Sequence, residues 1–244
     1  MNDSSKTVVW FDLDDTLWDF KNNSHDALAE VYDHFNLKRF WGDVDSWRES
    51  YHLVNDRLWK ELAEGKVSMP KLRWDRFHTP LIEAGADEEE ANMISERADK
   101  YYLERLGVRG KVVDGAIELL TELKSKGYRI GIISNGFTDV QYNKMKSSGI
   151  ERFIDYVVLS EDVGVSKPNT AIFRYAQKFA GVPASNCIMI GDNESTDITG
   201  AIKSMWKKAI WYNPRHAEPQ QNLTTSKEHH TQVEIVDSLS KIVI

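Results

Sequence analysis

The stretch VVWFDLDDTL, residues 8–17, passes from a short apolar run directly into a cluster of acids. The run indicates a buried strand, and Asp12, Asp14 and Asp15 follow it at once. Carboxylates without a partner at the end of a buried strand are costly to desolvate, and two of them about 4 Å apart repel by roughly 4 kcal/mol at an effective dielectric near 20. The sequence therefore predicts a positive charge beside these acids.

A parallel sheet is predicted because, from residue 112 onward, short apolar runs alternate with segments of helical period. The runs are RIGIIS, DYVVLS, NCIMIGD and KAIWY, of which KAIWY is the predicted last strand. VVWF adds a further strand, and a helix from Asp114 is expected to bury Ile117, Leu120 and Leu123 and to stop at Gly127. The fold class is α/β, a doubly wound, Rossmann-like core.

The segment between about residues 24 and 107 has a different pattern, without any β-branched run. Its apolar residues recur every three or four positions, which is typical of amphipathic helices. They include Trp47, Tyr51, Val54, Leu58 and Leu62, and then Ala91, Ile94, Ala98 and Tyr101. We expect an all-helical insertion over residues 18–108, between core segments 1–17 and 109–244.

Composition and charge exclude several classes of protein. The chain has 244 residues and a formal net charge of −7, which argues against binding a nucleic-acid polymer. Its single cysteine, Cys187, provides neither a disulfide framework nor a thiolate zinc cluster. No apolar stretch approaches the roughly 18 residues that span a bilayer, so we expect a cytoplasmic protein without a membrane partner, either a monomer or a small homo-oligomer.

Residues that follow the apolar runs are the candidate site, because ligands of an open parallel sheet bind beyond the carboxyl ends of its strands. They are Asp12, Asp14, Ser134, Asn135, Lys167, Asp192 and Asp197. Carboxylates at two strand ends suit Mg²⁺, which keeps sites for water and a substrate phosphate oxygen. Lys167, the Ser134 hydroxyl and the backbone amides of Asn135 and Gly136 suit the phosphate itself.

Two acids at this edge also suit covalent phosphoryl transfer. Aspartate can attack phosphorus to form an aspartyl phosphate, and a second acid can protonate the leaving oxygen and then deprotonate water. Asp12 and Asp14 are two residues apart, so both can point into one crevice, which their neighbour Asp15 cannot share in the same way. We expect Asp15 to have a structural role.

The segments FDLDDTL, IISNG, SKP and GDNESTD resemble the four motifs of the haloacid dehalogenase superfamily, in the same order and strand context. The resemblance implies that Asp12 is the nucleophile, Asp14 the general acid and base, and Thr16 a support of the loop. It implies that Ser134 and Lys167 bind the phosphoryl group. Mg²⁺ would be held by Asp12, Asp192 and the backbone carbonyl of Asp14, with Asp197 supporting. The insertion would be a helical cap that opens and closes over the site.

Within the superfamily, FDLDDTLWDF and the stretch ESYHLVNDRLWKELAEGKVSMPKLRWDRF are similar to the noncanonical pyrimidine nucleotide phosphatases, a group of 5′-nucleotidases. The resemblance rests on Asn55, Leu58, Trp59, Gly65, Leu72, Arg73 and Phe77. It implies a nucleoside 5′-monophosphate as substrate. Trp18 and Phe20, close to the nucleophile, are candidates for stacking on the base, unless they serve only to pack the hinge.

The core motifs are compatible with other functions. A sugar-phosphate or phosphoglycolate-type phosphatase or a phosphomutase would share every core residue. A metal-independent 2-haloacid dehalogenase attacks carbon and needs no second acid, so Asp14 argues against it. A non-catalytic binding protein on the same fold would be expected to lack a reacting group, and all of them are present.

Overall fold

The computed structural model describes residues 6–216 and 231–244. Residues 1–5 and 217–230 of the expected core segments therefore lie outside it. The chain divides into two compact units, which we call the core unit, Met1–Phe20 with Gly110–Ile244, and the helical unit, Lys21–Arg109. Within the described residues, no helix combines the length and the apolar character needed to cross a membrane.

The predicted parallel sheet is confirmed in the core unit. Its strands are β1 (Val8–Phe11), β2 (Arg129–Ser134), β3 (Tyr156–Leu159), β4 (Cys187–Gly191), β5 (Lys208–Tyr212) and β6 (Gln232–Val236). All neighbouring pairs are parallel, in the order β3-β2-β1-β4-β5-β6. β1 is central, since Phe11 is in register with Ile132 of β2 and Ile190 of β4.

The prediction that KAIWY is the last strand is wrong, because β6 pairs with it in parallel and extends the sheet. β6 is an edge strand with an alternating sequence, QVEIV, of which Gln232 and Ile235 are exposed. Glu234 on this strand forms an ion pair of 2.6 Å with Lys208 of β5. Edge strands tolerate polar residues, so a search for apolar runs does not find them.

The helical unit contains no strand among its described residues, as predicted. Its helices are α1 (Phe20–His34, which begins at the last residue of the core segment), α2 (Lys38–Trp41), α3 (Val44–Ala63), α4 (Met69–Glu83) and α5 (Glu88–Gly107). Trp47, Tyr51 and Phe77 form an aromatic core, with 5.1 Å between the ring centroids of Tyr51 and Phe77. In α5 the buried tyrosine is Tyr102 rather than the predicted Tyr101, because the buried face continues four residues beyond Ala98.

The helices of the core unit are α6 (Ala116–Ser125), α7 (Thr138–Ser147), α8 (Ser160–Val163), α9 (Thr170–Ala180) and α10 (Thr199–Lys203). Leu120 and Leu123 of α6 are buried as predicted, whereas Ile117 is only partly buried. Gly127, after α6, has the expected left-handed conformation, with φ of 82°. Because all strands are parallel, their carboxyl ends lie along one side of the sheet.

Candidate active site

The carboxyl ends of β1, β2 and β4 bring the predicted residues together. Asp12 follows β1, Ser134 ends β2 and Asp192 follows β4. β1 is hydrogen-bonded to both of the other strands, and the chain order reverses between β1 and β4. Such a switch point is where open α/β sheets bind their ligands.

Lys167 is the positive charge predicted beside the acids. Its Nζ lies 2.5 Å from Asp12 Oδ1 and 2.7 Å from Asp197 Oδ1. The side chain is only 2% exposed, so the ammonium is withdrawn from water and held between the two carboxylates. Asp12, Asp192 and Asp197 each place a carboxylate oxygen within 4.8 Å of the others.

The charges of this cluster do not balance within the protein. Burial raises the pKa of Asp12 to about 7; Lys167 opposes the rise, and Asp197 and Asp14 reinforce it. Burial and the charges of Asp12 and Asp197 raise the pKa of Asp192 to about 8. Burial alone would lower the pKa of Lys167, but Asp12 and Asp197 outweigh it and raise that pKa. The single ammonium of Lys167 thus lies among three carboxylates, which leaves an excess of negative charge. Such a cluster of carboxylate oxygens suits a hard divalent cation.

Asp192 is held by two side chains from other segments. The Thr16 hydroxyl donates to Asp192 Oδ1 at 3.2 Å and accepts from its backbone N–H at 3.0 Å. Trp211 of β5 donates from Nε1 to the Asp192 carbonyl oxygen at 2.9 Å. Thr16 thus lies where a supporting residue was predicted. Trp211 was not predicted, because nothing in KAIWY distinguishes a core tryptophan from one that donates to the site.

Asp197 lies in the helical turn Glu194–Ile198, which the Asn193 side chain caps. One of its oxygens binds Lys167, and the other accepts from the backbone N–H of Asn193 at 3.1 Å. The carboxylate can lie against β4 only because Gly191 has no side chain: a Cβ there would be 2.2 Å from Asp197 Oδ2. With both oxygens engaged, Asp197 is placed to orient Lys167 rather than to ligate a metal directly.

The Ser134 hydroxyl accepts two hydrogen bonds. Its Oγ accepts from the backbone N–H of Gly136 at 3.1 Å and from Gln141 Nε2 at 2.6 Å. A hydroxyl oxygen has two acceptor positions, so both are used and the proton remains to be donated. The hydroxyl is therefore available to donate to an anionic oxygen.

The Asn135 side chain is hydrogen-bonded to the backbone of Lys167. Its amide donates to the carbonyl of Lys167 at 3.1 Å, and its Oδ1 accepts from the Lys167 backbone N–H at 2.8 Å. The Asn135 side chain thus fixes the Lys167 loop against the end of β2. Its backbone amide remains the predicted donor to phosphate.

Asp14 is held by two residues of α7 that sequence reasoning missed. Lys144 Nζ lies 2.7 Å from Asp14 Oδ1, and Gln141 Nε2 lies 2.9 Å from Asp14 Oδ2. Gln141 and Lys144 are both buried, beside Val140 and Met145. Two long polar side chains three residues apart on a buried helix face were the available signal, since Lys and Gln are seldom buried without a partner.

Trp18 does not offer a stacking surface, so this expectation is wrong. The side chain is fully buried, and Lys144 Nζ lies 4.6 Å from its ring centroid and 5.3 Å from that of Phe20. The two rings are in contact, with centroids 6.3 Å apart. Trp18 is therefore a packing residue, as in the hinge-packing alternative, whereas Phe20 is partly exposed.

The α/β fold places an aspartate-rich loop, the one after β1, at a switch point of the parallel sheet. A family model for haloacid dehalogenase-like hydrolases matches residues 6–204, and the chain belongs to that family. The predicted resemblance to the haloacid dehalogenase superfamily is thereby confirmed.

Three relatives match across most of the chain. The pyrimidine 5′-nucleotidase PynA of Streptococcus pneumoniae is 28% identical, with 96% of this chain and 95% of PynA covered. The pyrimidine 5′-nucleotidase YjjG of Escherichia coli is 30% identical, with 88% and 89% covered. A glyceraldehyde 3-phosphate phosphatase of Methanothermobacter thermautotrophicus is 30% identical, with 96% and 97% covered.

A solved structure shares the fold over nearly the whole length. The YfnB protein of Bacillus subtilis, solved with magnesium bound, superimposes with a TM-score of 0.80 at 24% sequence identity, covering 96% of each chain. The helical unit is thus part of the shared fold and not an addition peculiar to this chain.

Proposed function

We propose that the protein is a magnesium-dependent phosphomonoesterase of the cytoplasm that acts on nucleoside 5′-monophosphates, with pyrimidine forms favoured. The arrangement of Asp12, Lys167 and Ser134 at the edge of the sheet carries the phosphatase part of the proposal. Similarity to PynA and YjjG, both named pyrimidine 5′-nucleotidases, supports the substrate.

Asp12 is the proposed nucleophile. Lys167 binds Oδ1, so Oδ2 is the oxygen that would attack phosphorus and form the acyl phosphate. The same ammonium can bind a phosphoryl oxygen while it holds Asp12, which brings attacking group and substrate together. Ser134 would donate its free hydroxyl proton to a second phosphoryl oxygen.

Asp14 is the proposed general acid and base. It lies two residues beyond Asp12, where it can give a proton to the departing ester oxygen. The resulting carboxylate can then take a proton from the water that hydrolyses the acyl phosphate. This second acid distinguishes phosphoryl transfer from dehalogenation, in which carbon is attacked and no ester oxygen leaves.

Asp12 and Asp192, with the Asp14 backbone carbonyl, are the proposed ligands of Mg²⁺. When bound, the ion would neutralise phosphoryl charge and offset the repulsion within the acid cluster. Asp197 would act by orienting Lys167, and Thr16 and Trp211 by holding Asp192 in place.

A sugar-phosphate phosphatase is the second candidate. It is favoured by the glyceraldehyde 3-phosphate phosphatase of Methanothermobacter thermautotrophicus, which matches over as much of the chain as PynA does. The burial of Trp18 also removes one reason to expect a base-stacking surface near the nucleophile. The core residues bind only the phosphoryl group, so they serve either substrate class equally.

A panel of substrates separates the candidates. Phosphate release from uridine and thymidine 5′-monophosphates, glyceraldehyde 3-phosphate, phosphoglycolate and hexose phosphates is measured as kcat/KM, with purified Asp12→Asn enzyme as control for contaminating phosphatases. We expect the pyrimidine nucleotides to be preferred and chelation to abolish turnover until Mg²⁺ is restored. Faster turnover of a sugar phosphate than of every nucleotide would establish the second candidate, whereas isomerised sugar phosphate without free phosphate would indicate a phosphomutase.

A further inference from the structure

Gln141 and Lys144 of α7 form a polar pair that the proposed chemistry leaves without a role. Both side chains are buried, with exposed fractions of 0% and 3%. Together they direct two donors at the two oxygens of Asp14: Lys144 Nζ to Oδ1 and Gln141 Nε2 to Oδ2. Each carboxylate oxygen has its own donor, so the plane and direction of the Asp14 side chain are fixed.

Contacts from neighbouring residues hold both side chains of the pair. Lys144 lies over the Trp18 and Phe20 rings, a contact that stabilises a cation withdrawn from water. Gln141 fits because position 136 is glycine, since a Cβ there would be 2.4 Å from Gln141 Nε2. The bridge between the backbones of Asp14 and Trp18 ties the rings to the loop that carries Asp14.

Gln141 also connects two groups with different tasks. Its Nε2 donates one proton to Asp14 Oδ2 and the other to Ser134 Oγ. The proposed acid and the proposed phosphate donor thus share one amide. Lys144, by contrast, contacts Asp14 and has no hydrogen bond to Ser134 among the described residues.

We infer that Gln141 and Lys144 are positioning residues for Asp14, which set the direction from which it delivers a proton to the leaving oxygen. Gln141 additionally orients the Ser134 hydroxyl toward the phosphoryl group. The inference rests on the proposed role of Asp14 as general acid. It assigns to α7 a part in leaving-group protonation, beyond the four sequence motifs.

A series of leaving groups tests the inference. The value of kcat/KM reports the steps through departure of the leaving group, so later hydrolysis of the acyl phosphate does not enter it. Lys144→Met and Gln141→Met are compared with wild type on 4-nitrophenyl phosphate, whose leaving group is stable without a proton, on phenyl phosphate and on uridine 5′-monophosphate. Lys146→Met, on the exposed face of α7, is the matched control.

We expect kcat/KM for uridine 5′-monophosphate to fall by about tenfold or more in both variants, since general acid catalysis contributes typically about 10²- to 10⁴-fold. The value for 4-nitrophenyl phosphate should change little in Lys144→Met. Inhibition by inorganic phosphate should weaken in Gln141→Met, which loses the bond to Ser134, and stay unchanged in Lys144→Met. Circular dichroism and thermal unfolding check that each variant is folded.

An Asp14→Asn background separates the possible failures. If the inference holds, Lys144→Met adds no further dependence on the leaving group once Asp14 is replaced. Two results would overturn the inference while leaving Asp14 in its role. One is an equal loss of kcat/KM on all three substrates in Lys144→Met. The other is a loss in Lys144→Met and Gln141→Met no larger than that in Lys146→Met. If Asp14→Asn itself shows no dependence on the leaving group, the proposed acid is wrong and the inference fails with it.

Discussion

Asp12 and Asp15 are aspartates of the same loop with different surroundings. Asp12 is buried and bound by Lys167 at the end of β1. Asp15 is partly exposed and has a left-handed backbone, with φ of 57°, and its N–H donates to the Trp18 carbonyl at 2.8 Å. The first has the environment of a reacting group, and the second that of a turn residue.

Replacing each aspartate by asparagine tests this difference. Asp12→Asn should lower kcat/KM on the order of 10³-fold or more, because an amide cannot form the acyl phosphate. Asp15→Asn should retain activity, since asparagine adopts the left-handed conformation as readily as aspartate. Acid quenching of the wild type with labelled substrate should trap a hydroxylamine-sensitive phosphoenzyme that is absent from Asp12→Asn. A kcat/KM of Asp12→Asn within about tenfold of the wild-type value would rule out the covalent route.

Helices and strands with a strong apolar pattern could be predicted from the sequence. Those whose place depends on packing against other elements could not. Strands β1 to β5 are marked by apolar runs, the helices of the insertion by their helical periodicity, and the end of α6 by Gly127. β6 is polar at its exposed edge and was missed. The contact of α7 with Asp14 depends on how that helix lies against the loop after β1, which no pattern within the helix indicates.

Site residues also divide into those that a sequence pattern marks and those that only contacts between elements reveal. Asp12, Ser134 and Asp192 were found because each stands where an apolar run ends. Gln141, Lys144 and Trp211 lie inside helices or strands, so their position in the chain does not mark them. Their role comes from side chains that reach across elements, as Lys144 does to Asp14.

Gly191, at the end of β4, lies against Asp197, so a larger residue there should lower both stability and activity. Gly191→Ala would place a methyl group 2.2 Å from Asp197 Oδ2 and 2.5 Å from its Cγ, so the turn must shift and Lys167 loses its alignment. We expect a loss of about 1–3 kcal/mol in the free energy of unfolding together with a fall in kcat. Urea unfolding and steady-state kinetics measure the two effects.

Gly181→Ala separates loss of activity from loss of stability. Gly181 has φ of 66° and nothing within 4 Å of the added Cβ, so alanine there is strained without displacing a neighbour. It should destabilise the fold by roughly 1 kcal/mol and leave kcat near the wild-type value. Equal kinetic behaviour of the two variants would show that Gly191 matters only for stability.

At the scale of the whole molecule, the site depends on the complete sheet. Its residues range from Asp12 to Asp197 along the chain and meet only because β1 lies between β2 and β4. Neither residues 1–20 nor residues 110–244 alone contain all the residues of the candidate site. The acid cluster therefore forms together with the core unit, and an ion that binds it stabilises that unit as a whole.

The reactivity of the Cys187 thiol can be used to measure unfolding of the core unit, because the residue is buried in its core. It is the first residue of β4, in register with Val8 of β1, and its side chain is fully buried. Burial raises the pKa of its thiol to about 12, so at pH 8 far less of it is thiolate than in an exposed cysteine. In the unfolded chain the pKa returns to about 8.5 and a substantial fraction is thiolate.

We therefore expect an aromatic disulfide reagent at pH 8 to label the native protein only as fast as the core unit opens, and within seconds in urea. Mg²⁺ should slow native labelling, because an ion that binds the folded cluster lowers the unfolded population by the factor 1 + [Mg²⁺]/Kd. In Asp192→Asn, which removes a proposed ligand, the ion should have little effect. Absorbance of the released thiolate follows the reaction. Complete labelling of the native protein as fast as in urea would mean that β4 opens without unfolding of the sheet, contrary to its central position.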